Sequence, residues 1–460
     1  MKAAAIRWQH RTVSPIIAIV SVVLGLTGAL LTLPAETVTA GALAMPATLL
    51  ALGLLGAVVA AVPQFGFDAL LRPESAILGG LTYFVLLDPI QGLYPVEVGR
   101  DAVQSTFLAI GLFVGTMFAA TAWSPRPLPR IVQRVASLDP PTSFLVRAIW
   151  LCFVLGIFYF AFMSGFSPSV MVKGLMAQRF ATPWSRGEMG GWYAFVEHLC
   201  YFGYLLPTLT VLAFVKERKF FAAPVLLGVL LSVVFLPFVM QGGGRRILGM
   251  CIGSAIFTWL AAVRGAIKLK HVLALVIAAV LLLLVMDMML ATRSRGAIEF
   301  SYNLDDFHYV RVDDNFLRFA QDLEIVPKYQ PHTGFDWLLW LVVRPVPRAL
   351  WPGKPMSPGF DLSEYLGISA SLSCSSIAEW YVGFGWIGVV VAGLIYGRAC
   401  RFWAQLLETP LPVASVGTYG LGVLALFISV RSMTELILMS YPLLAWLLIG
   451  NQFAKRHGFR

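Results

Sequence analysis

Long apolar runs recur along this chain and constrain its fold more than any other feature. A helix needs about 20 apolar residues to cross a bilayer, and about twelve stretches of the 460-residue chain approach that length. Only helices and closed barrels span membranes, and runs of this length suit helices. Of all residues, 58% are hydrophobic and 13% are charged, against about 25% charged in soluble domains. The sequence therefore predicts an all-α, polytopic transmembrane protein.

The apolar stretches define the predicted spans. In order they are Pro15–Leu33, Gly41–Val62, Ser75–Tyr94, Ala102–Trp123, Ser143–Met163, Trp192–Val215, Phe220–Met240, Ile247–Val263, His271–Ala291, Glu379–Tyr396, Val413–Val430 and Leu436–Gly450. This pattern predicts three parts: residues 1–291 with nine spans, a large loop over residues 292–378, and residues 379–460 with three spans and a tail. We find no internal repeat and no separate soluble domain in the sequence.

The distribution of Lys and Arg predicts the orientation. Short cytoplasmic loops carry an excess of these residues, and here the basic loops alternate with apolar spans. The basic positions that define one side are Arg126, Arg130, Arg134, Lys216, Arg218, Lys219, Arg264, Lys268, Lys270, Arg398 and Arg401. Both termini are therefore predicted to be cytoplasmic, and the large loop periplasmic. Topology accounts for the net charge of +10, so we do not expect nucleic-acid binding.

Several cations fall on the opposite, periplasmic side, where Lys and Arg should be scarce. They are Lys173, Arg179, Arg186, Arg245, Arg246, Arg293, Arg295, Arg344, Arg348, Lys354 and Arg431. A ring of such cations would suit a ligand that carries phosphate, because arginine binds phosphate through two parallel hydrogen bonds. The alternative is that each cation snorkels separately to the lipid headgroups. The residues alone leave both interpretations open.

Two segments concentrate these cations. In Gln241–Arg246, QGGGRR, the glycines allow close backbone approach, and the two arginines open a predicted helix whose free N–H groups favour an anion. In Arg344–Pro355, RPVPRALWPGKP, four prolines exclude a continuing helix. This second segment would hold Arg344, Arg348 and Lys354 on a stiff strip, either as an anion site or as a basic loop on lipid.

The large loop carries helical patterns of its own. Asp313–Val326 places Phe316, Phe319 and Leu323 at helical spacing, with Asp313 or Asp314 as the expected cap. Phe335–Val343 is an apolar stretch with Asp336 as a possible cap, and Asp361–Glu364 resembles a capping box. We therefore expect a small helical cap that covers the membrane face and excludes water from a substrate.

Glu379 lies where the chain re-enters the membrane. An ionisable residue at that depth is a functional candidate, either as a general base or as the partner of an arginine in a structural ion pair. Weaker candidates of the same kind are Glu197, Asp287 and Glu435. No Asp-x-Asp pair lies at a periplasmic span end and no Cys/His cluster has zinc-ligand spacing, so we predict neither a metal nor a cofactor.

The stretch from Asp314 through RPVPRALWPGKP to AEWYVGFGWIGVVVAGLIYG resembles bacterial O-antigen and exopolysaccharide repeat-unit polymerases of the Wzy type. That family shows a Pro-Arg, Trp-Pro and Lys-Pro cluster in its large periplasmic loop. A helix follows there with a Glu and a face of small residues, which here are Glu379, Gly383, Gly385 and Gly388. The resemblance covers roughly residues 293–397, and elsewhere only the topology is similar.

The resemblance implies a metal-independent glycosyltransferase of the bacterial inner membrane with a GT-C-like helical architecture. Its donor and acceptor would be undecaprenyl-pyrophosphate-linked oligosaccharides, and its partners would be membrane lipids, a chain-length regulator and a flippase. Glu379, Arg344 and Arg348 would serve catalysis. The residues expected to bind the pyrophosphate are Arg245, Arg246, Arg293, Arg295, Lys354, Arg179 and Arg431.

Three alternatives remain. A ligase would transfer finished glycan from the same carrier to lipid A or protein. A cell-wall glycan polymerase of the shape-and-division type would use a similar donor, but its motifs are not recognisable here. A transporter of an anionic or lipid-linked solute would bind at mid-membrane on broken helices and often show inverted repeats. The clustering of cations on one side and the lack of a repeat favour an enzyme.

Overall fold

The computed structural model describes most of the chain. The described residues are 15–35, 39–93, 98–178, 181–185, 193–241, 244–295, 309–310, 312–346, 348, 350–355, 357–368, 372, 374–407 and 412–457. They form twenty α-helices, joined in places by short 3-10 and π turns. The first ten are α1 (Pro15–Leu31), α2 (Ala44–Val59), α3 (Val62–Phe65), α4 (Pro73–Leu81), α5 (Leu87–Ile90), α6 (Arg100–Thr121), α7 (Arg130–Ala136), α8 (Thr142–Met163), α9 (Pro168–Met176) and α10 (Tyr193–Gly203).

The remaining helices complete the bundle and include three short helices of the large loop. They are α11 (Leu206–Glu217), α12 (Ala223–Met240), α13 (Arg245–Ala262), α14 (Leu269–Arg295), α15 (Asn315–Ile325), α16 (Phe335–Val343), α17 (Leu362–Tyr365), α18 (Ser376–Ala404), α19 (Val413–Ser429) and α20 (Met433–Arg456). The prediction of an all-helical chain is thus confirmed across the described ranges.

Eight described stretches are long and apolar enough to cross a membrane. They are Gly41–Leu71, Arg100–Thr121, Thr142–Met163, Phe195–Glu217, Ala223–Met240, Leu269–Leu290, Ser376–Leu407 and Met433–Arg456. Each coincides with one of the predicted spans, and the chain has the character of a polytopic helical membrane protein. Two further apolar helices, α1 and α19, are 17 residues long. The number twelve stays a prediction.

Helix α19 lies at the centre of the bundle, against α4, α11, α13 and α20. Nearly all of its side chains are buried, because neighbours cover every face. The buried indole of Trp446 on α20 donates a 2.8 Å hydrogen bond to the hydroxyl of Thr418, which satisfies two polar groups inside an apolar core. Helices α1 and α2 pair through Gly25 and Gly53, whose backbones leave no room for a Cβ atom on either side.

Helix α18 packs along α6 but is broken near its start. Phe384 (φ −139°, ψ 15°) and Gly385 (φ 63°, ψ −151°) leave the helical conformation. The break frees the carbonyls of Val382 and Gly383, which accept hydrogen bonds from the backbone amides of the loop residues Thr333 (3.1 Å) and Gly334 (2.8 Å). The prediction of one continuous helix over Glu379–Tyr396 missed this break, and the large loop is bound to it.

The large loop contains the three predicted helices. Its bounds are narrower than residues 292–378, because α14 continues to Arg295 and α18 begins at Ser376. Helix α16 spans the predicted Phe335–Val343, but its N-cap is Gly334 and not Asp336. Asp361 caps α17 by accepting a hydrogen bond from the Ser363 amide at 2.9 Å.

Helix α15 docks the loop onto the bundle. Phe316 and Phe319 are fully buried, as their helical spacing predicts, and the Asn315 amide donates to the carbonyl of Phe84 at 3.1 Å. Asp314 occupies the N-cap position without a capping hydrogen bond, because its carboxylate pairs with Arg318. The described part of the loop is therefore a packed helical cap on the bundle.

Candidate functional site

A cavity of about 1520 Å³ opens between the helical cap, α13, α14 and the connection from α19 to α20. Five of the predicted site residues line it: Arg245, Arg246, Arg344, Glu379 and Arg431. They come from four separate parts of the chain, so the structure brings together charges that the sequence only lists in order. This cavity is the candidate functional site.

Arg431 organises the cationic part of the cavity wall. Its Nη1 lies 2.7 Å from Glu435 Oε1, and its Nε lies 2.5 Å from Asp313 Oδ2. Arg246 at the start of α13 approaches the same Glu435 oxygen at 2.6 Å. Burial alone would lower the pKa of Arg431, but the carboxylates of Asp313 and Glu435 raise it overall. The guanidinium therefore stays charged inside the wall.

Arg245, next to Arg246, directs its Nη2 towards the carbonyl of Val312 at 3.5 Å. As predicted, the two arginines open α13. Their side chains thus reach the cavity where the free N–H groups of a helix N-terminus also point, an arrangement that favours an anion.

Arg344 lies at the end of α16, with its guanidinium 4.7 Å from the ring centre of Trp340. Cation–π contact of this kind holds the guanidinium at a fixed position. The strip that follows turns back on itself, because Lys354 Nζ donates to the carbonyls of Arg344 (2.9 Å) and Val346 (2.8 Å). Burial and the nearby charges of Arg344 and Arg348 lower the pKa of Lys354.

Neither Arg348 nor Lys354 is among the residues that line the cavity. Lys354 instead stabilises the folded strip through backbone carbonyls. Arg179 lies outside the described residues, and so do the side chains of Arg293 and Arg295, whose backbones form the last turn of α14. The roles predicted for these five residues remain predictions.

Glu379 lies in the first turn of α18 and lines the cavity. Its Oε2 accepts a hydrogen bond from the backbone amide of Met433 at 2.8 Å. The carboxylate is thus held by a backbone donor, and no described arginine forms a salt bridge with it. Because Glu379 also lines the cavity, its carboxylate is able to contact a ligand there.

The cavity continues from the arginines into an apolar arm between α13 and α14. Helices α13 and α14 each contribute one face to this arm, because the lining residues of each helix are three or four positions apart. The lining residues are Leu275, Ala279, Leu282 and Met286 of α14 and Gly249, Gly253, Ile256 and Leu260 of α13. From Arg246 to Leu260 the helical rise spans about 20 Å. A ligand with a charged group and a long apolar chain would fit both parts.

Sequence reasoning missed three features of the cavity wall. Asp313 holds Arg431, and Trp337 lines the wall, where its ring packs against Trp380. Asp322 is almost fully buried on α15, at 1% exposure, and also lines the cavity. The signal for Asp322 was available: an acidic residue three positions after the buried Phe319, on a helix whose apolar face was already recognised.

Comparison with known proteins adds no assignment. No family model matches the chain, and no curated protein and no solved structure matches it. Among the described residues, no set of three or more His, Cys, Asp or Glu side chains is arranged to hold a metal ion. The function must therefore be inferred from the geometry and charge of the cavity.

Proposed function

We propose that this protein is a glycosyltransferase that joins undecaprenyl-pyrophosphate-linked repeat units into O-antigen or exopolysaccharide at the periplasmic face of a bacterial inner membrane. One observation carries the proposal. A single cavity combines four arginines (Arg245, Arg246, Arg344 and Arg431), the carboxylate of Glu379 and a long apolar arm, beneath a helical cap.

The arginines match the leaving group. When the bond between a sugar and a pyrophosphate breaks, negative charge develops on the phosphate oxygens, and fixed cations stabilise that charge most effectively. Arginine adds paired hydrogen bonds that suit phosphate geometry. Arg246 and Arg431 are held at their positions by Glu435 and Asp313, so little reorganisation is needed when a ligand binds.

The apolar arm and the cap match the remainder of such a substrate. A polyprenyl chain would lie between α13 and α14, with its pyrophosphate at Arg245 and Arg246, while the sugars would face α16 and the Trp337 ring. The cap would exclude water from the reacting centre, which limits hydrolysis of the activated donor. Chain-length regulators and flippases would be expected neighbours of an enzyme at this step.

The reaction transfers the donor glycan from its pyrophosphate to a hydroxyl group of the acceptor. A hydroxyl oxygen of the acceptor sugar attacks the anomeric carbon of the donor, the bond from that carbon to the pyrophosphate oxygen breaks, and undecaprenyl pyrophosphate leaves with the electron pair. The hydroxyl proton passes to a carboxylate of the site. Glu379 is positioned to orient the acceptor hydroxyl or to take its proton.

The first test is deletion of the gene followed by gel electrophoresis of surface polysaccharide. We expect the ladder of long chains to disappear while single repeat units remain attached to lipid. If instead all glycan disappears from its lipid acceptor and finished polymer accumulates on the undecaprenyl carrier, the protein is a ligase. An unchanged pattern rejects both functions. Complementation with Arg344→Ala and Glu379→Ala variants should fail, whereas an Arg126→Ala variant, altered in a loop far along the chain from the cavity residues, should restore the ladder.

A second candidate function has one observation in its favour. Helix α18 is broken at Phe384 and Gly385, and broken helices are common at the binding sites of transporters. Here the freed carbonyls bind the cap residues Thr333 and Gly334, so they are not available to a solute, and this favours the enzyme. An assay of purified protein in liposomes distinguishes the two functions. A transporter moves the lipid-linked repeat unit across the bilayer without chain growth, and a polymerase lengthens the glycan.

A further inference from the structure

Asp322 is a buried carboxyl group of the cavity wall whose two oxygens both lack a nitrogen or oxygen donor among the described residues. It is 1% exposed. Its neighbours are the thiol of Cys374, a weak donor, and the carboxylate of Glu379. A buried carboxylate without strong donors is costly in free energy, so its retention in the wall needs a reason.

Four other carboxylates that line the same cavity are each held by a donor. Asp313 and Glu435 bind arginines, Asp361 accepts from the Ser363 amide, and Glu379 accepts from the Met433 amide. Each of these contacts favours the anion and weakens its affinity for a proton. Asp322 has no comparable contact with a nitrogen or oxygen donor among the described residues.

The fold holds Asp322 rigidly towards the cavity. Phe316 and Phe319 anchor α15 in the core, and Asn315 fixes its first turn through the carbonyl of Phe84. Arg318, one turn before Asp322 on the same helix, pairs with Asp314 and donates to Gln321 at 2.9 Å. Its charge still lowers the pKa of Asp322, but burial of the carboxyl group has the larger effect and raises it.

We propose that Asp322 is the general base of the transfer reaction, taking the proton of the acceptor hydroxyl, while Glu379 positions that hydroxyl. This inference rests on the proposed glycosyltransferase function. As the hydroxyl oxygen forms its bond to the anomeric carbon, the O–H electron pair is released to oxygen and the proton moves to a carboxylate oxygen of Asp322. The pyrophosphate departs towards Arg245, Arg246 and Arg431, so charge and atoms balance without another reactant.

The charges that face Asp322 are compatible with this role. They are Arg318 on its own helix and Cys374 and Glu379 on the opposing segment. Burial is the main influence and raises the pKa of Asp322 from 3.8 to about 8, although Cys374 and Arg318 oppose the rise. A base with a pKa near the working pH transfers protons most effectively.

The test uses full-length protein in lipid nanodiscs with undecaprenyl-pyrophosphate-linked repeat units extracted from cells. Asp322→Asn preserves size and removes the base, so we expect the transfer rate to fall at least about 100-fold. Binding of undecaprenyl pyrophosphate alone should be unchanged, and the melting temperature should be equal to or above that of wild type, because the buried charge is gone. Glu364→Gln, an exposed acid of the same loop, is the matched control and should behave as wild type.

Three results would overturn the assignment. Transfer by Asp322→Asn at the wild-type rate would show that another group takes the proton. Parallel loss of rate, carrier binding and melting temperature would show that Asp322 is structural. For wild-type protein, a transfer rate that does not rise with pH between about 6 and 9 would also reject a base of this kind. If wild type itself neither binds the carrier nor lengthens the glycan, the proposed function fails as a whole.

Discussion

Arg431 donates two hydrogen bonds to the carboxylate of Asp313, from Nε at 2.5 Å and from Nη2 at 3.2 Å. Asp313 belongs to the cap, just before α15, and Arg431 belongs to the connection between α19 and α20. This bidentate pair joins the cap to the centre of the bundle. Because Arg431 also binds Glu435, which reaches Arg246, the same arginine links cap docking to the cationic wall.

Arg431→Ala should destabilise the protein strongly. Among the described residues, it would leave Glu435, 1% exposed, with only Arg246 as its cationic partner, and would leave Asp313 without one. Removing one partner of a buried ion pair costs about 3–5 kcal/mol. We expect a clearly lower melting temperature in detergent, measured against Arg126→Ala, an arginine on an exposed loop. A melting temperature equal to that of wild type would show that the pair does not hold the cap.

Arg344→Ala and Arg348→Ala, which alter the two arginines of the proline-rich strip, should differ in their effect on activity. Arg344 lines the cavity and Arg348 is not among its lining residues. Removing one fixed donor from a developing negative charge costs about 100- to 1000-fold in rate, so Arg344→Ala should abolish the polysaccharide ladder. Arg348→Ala should retain most of the activity. Equal losses in both variants, at unchanged expression, would contradict the role of the cavity.

Gly385→Ala should weaken the junction between α18 and the cap. Gly385 has φ 63° and ψ −151°, a conformation that only glycine adopts readily, and the strain is worth about 1–3 kcal/mol. An added Cβ would also lie 3.1 Å from His332 Nε2. Gly115→Ala is the control, since nothing lies within 4 Å of the Cβ position there. We expect the melting temperature of Gly385→Ala to fall below that of wild type and the melting temperature of Gly115→Ala to stay unchanged.

The stability of the protein should depend on pH through Asp322. Burial raises the pKa of this group from 3.8 to about 8, so between these values the folded protein holds the proton more tightly than the unfolded chain. Its contribution to stability is therefore present at low pH and is lost as the pH rises through this window. The melting temperature of Asp322→Asn should exceed that of wild type increasingly from about pH 5 to pH 8. A difference that does not change with pH would contradict the burial of this carboxyl group.

Local features of the sequence predicted much of the architecture. The apolar runs located eight helices able to span a membrane, because a segment in lipid must satisfy its own backbone. Phe335–Val343 was predicted with its observed bounds, since Gly334 precedes it and Pro345 prevents its continuation. Arg245 and Arg246 were predicted to open a helix and do so. Each of these properties depends on neighbouring residues and their periodicity.

Packing between distant segments decided the candidate site. Asp313 and Arg431 are 118 positions apart, and Arg246 and Glu435 are 189 apart, so neither pairing could follow from local patterns. The burial of Asp322 depends on α15 docking against the bundle, and the break in α18 is bound by amides of the cap. Hydrophobic periodicity specifies which segments enter the membrane. Tertiary contacts decide the partner of each buried charge, because the free energy of a buried charged group depends on the groups packed around it.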